Sequence, residues 1–170
     1  MPKPIRLFVR WVDWLNQWVG RLAMGLFFVM GAVLLWSTIS RAVFGTPVNW
    51  ALEMTQFLLA AYFLLGGAYS LQKGVHVRMD LFYSQFSPRR RAIIDAVTIL
   101  AVIFFLGVLL WGAVSSTQYA IQYNQKNYSA WSPVLWPVKV AMTAGIVFML
   151  LQVIAQFFRD VAEAMGRPIA

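Results

Sequence analysis

Four apolar runs, each about 20 residues long, constrain this chain more than any other feature, because at 1.5 Å per residue such a run crosses a hydrocarbon core of about 30 Å. They cover residues 22–40, 51–71, 92–114 and 134–158. Residues 41–50 with Gly45 and Pro47, residues 72–91 with Pro88, and residues 115–133 read as loops from their turn residues and polarity. Of the 170 residues 61% are hydrophobic and 12% charged, whereas about a quarter of an ordinary soluble domain is charged. A soluble core of this size would leave large apolar patches exposed, so lipid is the expected solvent. The expected fold is an all-α integral membrane protein, one four-helix domain over residues 1–170. No fixed-period repeat is evident, and the second half does not echo the first as inverted-repeat transporters do.

Ahead of the first span, Arg6, Arg10, Asp13, Gln17 and Arg21 recur every three or four residues, with Phe8, Trp11, Leu15 and Trp18 on the other side of a helix. This predicts an N-terminal interfacial amphipathic helix over residues 1–20. A signal peptide would need an earlier, shorter apolar run and a small-residue cleavage site, so the segment is expected to be retained.

Lys and Arg set orientation. Lys3, Arg6, Arg10, Arg21, Lys73, Arg78, Arg89, Arg90, Arg91, Arg159 and Arg167 fall on one side of the four spans, against Arg41, Lys126 and Lys139 on the other. Both termini are therefore expected in the cytoplasm, with the chain multi-pass in the membrane. Tryptophan favours the interface. Trp36, Trp50, Trp111, Trp131 and Trp136 fall near the outer boundary and Trp11, Trp14 and Trp18 near the inner one, which agrees with the charge bias.

Several function classes are hard to build from this inventory. With no cysteine and one histidine, disulfides, thiolate metal sites and bis-histidine haem are unavailable. No cofactor or metal is expected. The net charge of +8 flanks apolar runs instead of forming a phosphate-tracking stripe, which argues against nucleic acid. Nucleotide-binding loops, Ser/His/Asp sets and carboxylate pairs are absent, and the middles of the spans have essentially no ionisable residue. Neither an enzyme nor a stand-alone transporter site at the midplane is expected.

Glu53 is the outstanding single residue, an acid near the outer end of the second span. Three residues past Trp50, it could reach headgroups, favour the helix start electrostatically or pair with Arg41. A proton or substrate role is the other reading. His76, Arg78 and Asp80 alternate in the second loop, as a surface or partner contact or as a pH sensor. Arg89, Arg90 and Arg91 read as lipid anchors on the positive side. Asp95 stands at i+4 from Arg91 and could neutralise it, and Lys139 is expected to snorkel outward. Gly66 and Gly67, and Gly107 with Gly112, would permit close helix approach. The outer loop carries Tyr119, Tyr123, Tyr128 and Trp131, suited either to protein contacts or to lying on headgroups.

An ordered set of residues resembles the small membrane subunit of tripartite ATP-independent periplasmic (TRAP) transporters, the DctQ-like family. It comprises Arg41 and Phe44-Gly45, Trp50 and Glu53, Gly66-Gly67-Ala68, and His76-Val77 with Asp80. Trp131-Ser132, the run Leu135, Trp136, Pro137, Val138, Lys139, and Leu150-Leu151-Gln152 resemble longer members. Leu52-Glu53 stands where many members have two acids, and Met79 where they have Val. The resemblance implies a large permease subunit carrying the sodium and substrate sites, a periplasmic substrate-binding protein, and uptake of an organic acid driven by sodium. The small subunit would be a fixed, non-catalytic support, with membrane lipids and those two proteins as its partners. Arg41, Trp50, Glu53, His76 and Asp80 would be structural or partner contacts. Two other classes remain: a dimeric stand-alone exporter with Glu53 as its proton-coupled ligand, and a scaffold for another membrane complex.

Overall fold

The computed structural model describes residues 3–73 and 88–164. These form four helices: α1 (Lys3–Phe44), α2 (Asn49–Gln72), α3 (Pro88–Gln122) and α4 (Trp136–Ala164). Each contains a stretch long and apolar enough to cross a membrane. The first three expected spans lie inside these helices and the fourth starts two residues ahead of its helix, at 134 against Trp136, while three boundaries extend well beyond the apolar runs.

The largest extension is at the start. The amphipathic segment and the first span form one continuous 42-residue helix, about 63 Å long at 1.5 Å per residue and so about twice the hydrocarbon thickness. No proline interrupts it after Pro4. Besides its polar and aromatic faces, the N-terminal half has a third face of Val9, Val12, Asn16, Gly20 and Ala23, which is buried. Val9 and Val12 pack with Ala155 of α4, supported by Ile5, Phe8, Leu151 and Phe158. Phe8 meets Phe158 edge-on at 6.5 Å. The amphipathic half is thus docked on a neighbouring helix, while Trp11, Trp14 and Trp18 remain exposed.

In lipid, apolar burial gives helices little reason to associate, so close packing of small residues has to supply much of the attraction. Gly20 lies beneath the Tyr69 ring, where a Cβ would come within 2.5 Å of Cγ, and Gly145 lies against Leu64, where a Cβ would come within 2.8 Å of its backbone carbon. Gly67 faces Met149 and Gly66 faces Ala23, so these two glycines do allow close approach. Gly107 and Gly112 do not, because nothing stands within 4 Å of a Cβ at either. Their openness follows from the architecture: α1, α2 and α4 pack on one another, whereas α3 packs extensively on α4 alone. Helix α4 is packed on all three of the others, so α4 is the hub and α3 an outrigger.

Helix α1 ends at Gly45, whose φ of +65° is the left-handed conformation that glycine adopts without a Cβ penalty. The Ser40 hydroxyl donates to the Thr46 carbonyl at 3.1 Å and fastens this turn. Helix α3 runs to Gln122, so residues 115–122, expected as loop, are helical. Their polar side chains are compatible with helix: Thr117 Oγ1 donates to its own i−4 carbonyl, Ala113, at 2.8 Å. The chain turns only at Asn124, with φ 45°. The remaining outer loop folds on itself through Leu135 N–H to Gln125 O (2.9 Å) and Asn127 N–H to Pro133 O (3.0 Å).

Candidate functional site

The polar side chains that join separate helices gather at two levels, one at each end of the helical assembly. At the level where α2 ends, Asp13 of α1 forms an ion pair with Arg159 of α4. Gln152, one face up from Arg159 on α4, donates through Nε2 to Asp13 Oδ1 at 3.3 Å. Its Oε1 accepts from Asn16 Nδ2 at 2.5 Å. Gln72, the last residue of α2, donates to the Asp13 carbonyl at 3.1 Å. Arg159 also donates to Gln156 Oε1 at 3.3 Å. Three helices thereby meet at one residue, α4 through the Asp13 carboxylate and α2 through its backbone carbonyl. Asn16 and Gln152 are each 1% exposed, and Asn16 Oδ1 and Gln72 Oε1 have no partner among the described residues.

The helical period brings these groups together. Asp13 and Asn16 are three apart on α1, and Gln152, Gln156 and Arg159 follow at four and three on α4, so each set shares a face. Sequence reasoning missed the cluster, placing Asp13 on a solvated face and Arg159 among the basic flanks. The available signal was an amide inside each apolar stretch, Asn16 and Gln152, at these spacings.

The opposite level is fastened by the outer loop. Asn127 Nδ2 donates to Glu53 Oε2 at 3.3 Å, and Trp131 packs on Trp50 with ring centroids 6.5 Å apart. Two loop side chains thus grip two residues one turn apart at the start of α2. Glu53 neither pairs with Arg41 nor caps α2 through its side chain; the N-cap is Val48, without a side-chain bond. Arg41 is exposed in the last turn of α1, and among the described residues the one ion pair is Asp13–Arg159. Lys139 does not extend freely into solvent: Nζ donates to Ser116 Oγ and Gln125 Oε1, both at 2.9 Å. Below it Thr117 and Thr143 share a 2.9 Å hydroxyl contact between α3 and α4.

His76, Arg78 and Asp80 lie outside the described residues. Arg89, Arg90 and Arg91 fall in the first turn of α3; their side chains, and the Arg91–Asp95 pairing, also lie outside the described set. Between the two locks the helix contacts are glycine and apolar contacts, and no described carboxylate reaches the middle of the assembly. Both clusters therefore have the chemistry of fasteners: charges and amides paired with one another between separate elements, with Asn16 Oδ1 and Gln72 Oε1 left over.

Comparison with known families gives one match. The family model described as "Tripartite ATP-independent periplasmic transporters, DctQ component" matches residues 30–163. Among curated proteins none matches the chain.

Proposed function

We propose, from the premise that this chain belongs to the DctQ component family of tripartite ATP-independent periplasmic transporters, that it is the fixed frame of a sodium-driven uptake system. Family membership makes it a multi-pass membrane component of such a transporter. The finer reading is that it braces a large permease subunit in a bacterial inner membrane, both termini in the cytoplasm. A periplasmic binding protein delivers an organic acid to that permease, which holds the sodium and substrate sites. The observation that carries this is the two-ended lock. Asp13, Asn16, Gln152 and Arg159 tie α1 to α4 at one end, and Glu53 with Trp50 receives the outer loop at the other. Such an assembly suits a part against which another part moves, since its helices are held in register at both interfaces. Arg41, Trp50 and Glu53 serve on this reading as structural or contact residues of the periplasmic end. His76, Asp80 and the Arg89–Arg91 triplet serve the cytoplasmic end, the triplet as lipid anchors.

The test is a detergent pull-down of the tagged chain from its native membrane. Recovery of a large multi-spanning permease is the expected result. Recovery of a homodimer alone, active by itself in liposomes and silenced by Glu53→Gln, would overturn the reading in favour of an exporter.

A further inference from the structure

The outrigger position of α3 leaves a groove of about 420 Å³ between α3 and α4. Its walls are apolar over most of their length, with Phe105, Leu109 and Met142 among them, and its loop-side end is closed by Ser116 and Lys139. From Phe105 to Ser116 the groove follows α3 for about 16 Å at 1.5 Å per residue, which is about half of a 30 Å hydrocarbon core and so the depth of one leaflet. The ammonium at its end is bonded only to neutral acceptors: Ser116 Oγ, Gln125 Oε1 and, at 3.4 Å, the Ser116 carbonyl. Among the described residues no carboxylate pairs with it.

We propose that this groove is a phospholipid site of the leaflet on the side of the 123–135 loop. One acyl chain lies along Leu109 and Met142, and the phosphodiester rests at Lys139. Length and charge both select this occupant. A chain one leaflet deep fills the groove without crossing the midplane, and the phosphate supplies the anion that Lys139 lacks. A phosphate oxygen takes the place of the weak 3.4 Å carbonyl contact and accepts the proton of the Ser116 hydroxyl, which is otherwise only an acceptor for Lys139. A second protein helix would place no phosphate there and would have to bring its own carboxylate to the same depth.

The experiment uses the full chain in nanodiscs of phosphatidylethanolamine and phosphatidylglycerol, followed by gentle release and native mass spectrometry. The wild type is expected to retain a phospholipid. Retention should fall about fivefold in Lys139→Gln, the scale of one lysine at an anionic lipid surface, and be kept in Lys139→Arg. Gly112→Leu adds bulk to the groove wall at a position where nothing lies within 4 Å of a Cβ, and should abolish retention. Gly107→Leu, equally unobstructed but lining a separate recess with Phe104 and Trp111, should leave it intact. Unchanged retention in Lys139→Gln and Gly112→Leu overturns the proposal, as does equal loss in Gly107→Leu. A photo-crosslinker at Leu109 in native membranes gives a second readout. A lipid adduct is expected, and a protein adduct without lipid means that a partner helix fills the groove instead.

Discussion

The buried amide pair Asn16–Gln152 allows the inner lock to be weighed. Gln152→Met keeps length and removes both polar atoms, leaving Asn16 Nδ2 without its 2.5 Å acceptor. Because Asn16 Oδ1 already lacks a partner, the whole Asn16 side chain then becomes an unsatisfied buried group at 1% exposure. Orphaning a buried donor costs about 1–3 kcal/mol. Interhelical hydrogen bonds in membranes run lower, near 0.6 kcal/mol with a ceiling of about 1.7, so a loss of about 1 to 1.5 kcal/mol is expected, mostly from the stranded Asn16. Asn16→Leu, which matches the branching of the amide, strands Gln152 Oε1 but leaves Gln152 Nε2 on Asp13 Oδ1. Its cost should be about 1 kcal/mol. The double variant strands neither amide, so it should lose less than the sum of the singles by about 1 kcal/mol, well above the scatter of about 0.3–0.5 kcal/mol seen for independent sites. The assay is equilibrium unfolding in mixed detergent micelles followed by far-UV circular dichroism, with all four proteins measured at equal detergent composition. Additive losses would falsify the lock, showing that the two amides lie near one another without sharing energy.

Three further outcomes follow from the same geometry. Gly145→Val places a Cβ within 2.8 Å of the Leu64 backbone and should separate α2 from α4, seen as a lower unfolding midpoint by several tenths of denaturant fraction or as loss of the folded state, whereas Gly107→Ala should be neutral or slightly stabilising in the same assay. Asp13→Asn leaves Arg159 partly buried without its anion and should cost about 1 kcal/mol, while Asp13→Asn combined with Arg159→Gln should recover most of it, read by the same unfolding curves. Glu53→Ala should release the outer loop, raising proteolytic cleavage within residues 123–135, and Glu53→Gln, which keeps an acceptor for Asn127, should not. Equal cleavage in the two Glu53 variants would show that the Trp50–Trp131 contact and the Lys139–Gln125 bond hold the loop without Glu53.

The spans were legible because hydropathy is summed along the chain, and each helix carries its own apolar window. Helix ends were less so: Ser116 and Thr117 look like loop by polarity, yet their hydroxyls bond within and between helices. The N-terminal amphipathicity was visible, but a two-faced reading put Asp13 with the arginines in water and overlooked the narrow third face through Val9, Val12 and Asn16. Glu53 stood out by its chemistry, while its partner Asn127 lies 74 residues away and belongs to a loop whose course no local pattern encodes. The isolation of α3 was equally hidden, since a helix facing lipid and one facing protein are both apolar. Among the glycines, Gly66 and Gly67 make the expected helix contacts and Gly107 with Gly112 do not, while the tightest approaches belong to Gly20 and Gly145, singletons whose role depends on the neighbour they meet.

The division of labour along the membrane normal has a physical cause. In the hydrocarbon, a polar fastener that opens has no water to turn to, so its failure is costly, and its gain over alternative pairings is small. Glycine contacts carry no such risk, and Gly20, Gly67 and Gly145 take the stretch between the ends. Near the interfaces a transiently opened pair can be hydrated, so charges become usable, and Asp13–Arg159 and Glu53–Asn127 sit at the two ends of α2. An assembly fastened in this way holds its helices in register most firmly at its two ends. Helix α3 departs from the pattern: among the described residues its polar ties to α4 run through Thr117, Thr143, Ser116 and Lys139 on the loop side. Its far end has no comparable tie among the described residues, so the surroundings of α3 at that depth contribute to fixing its angle.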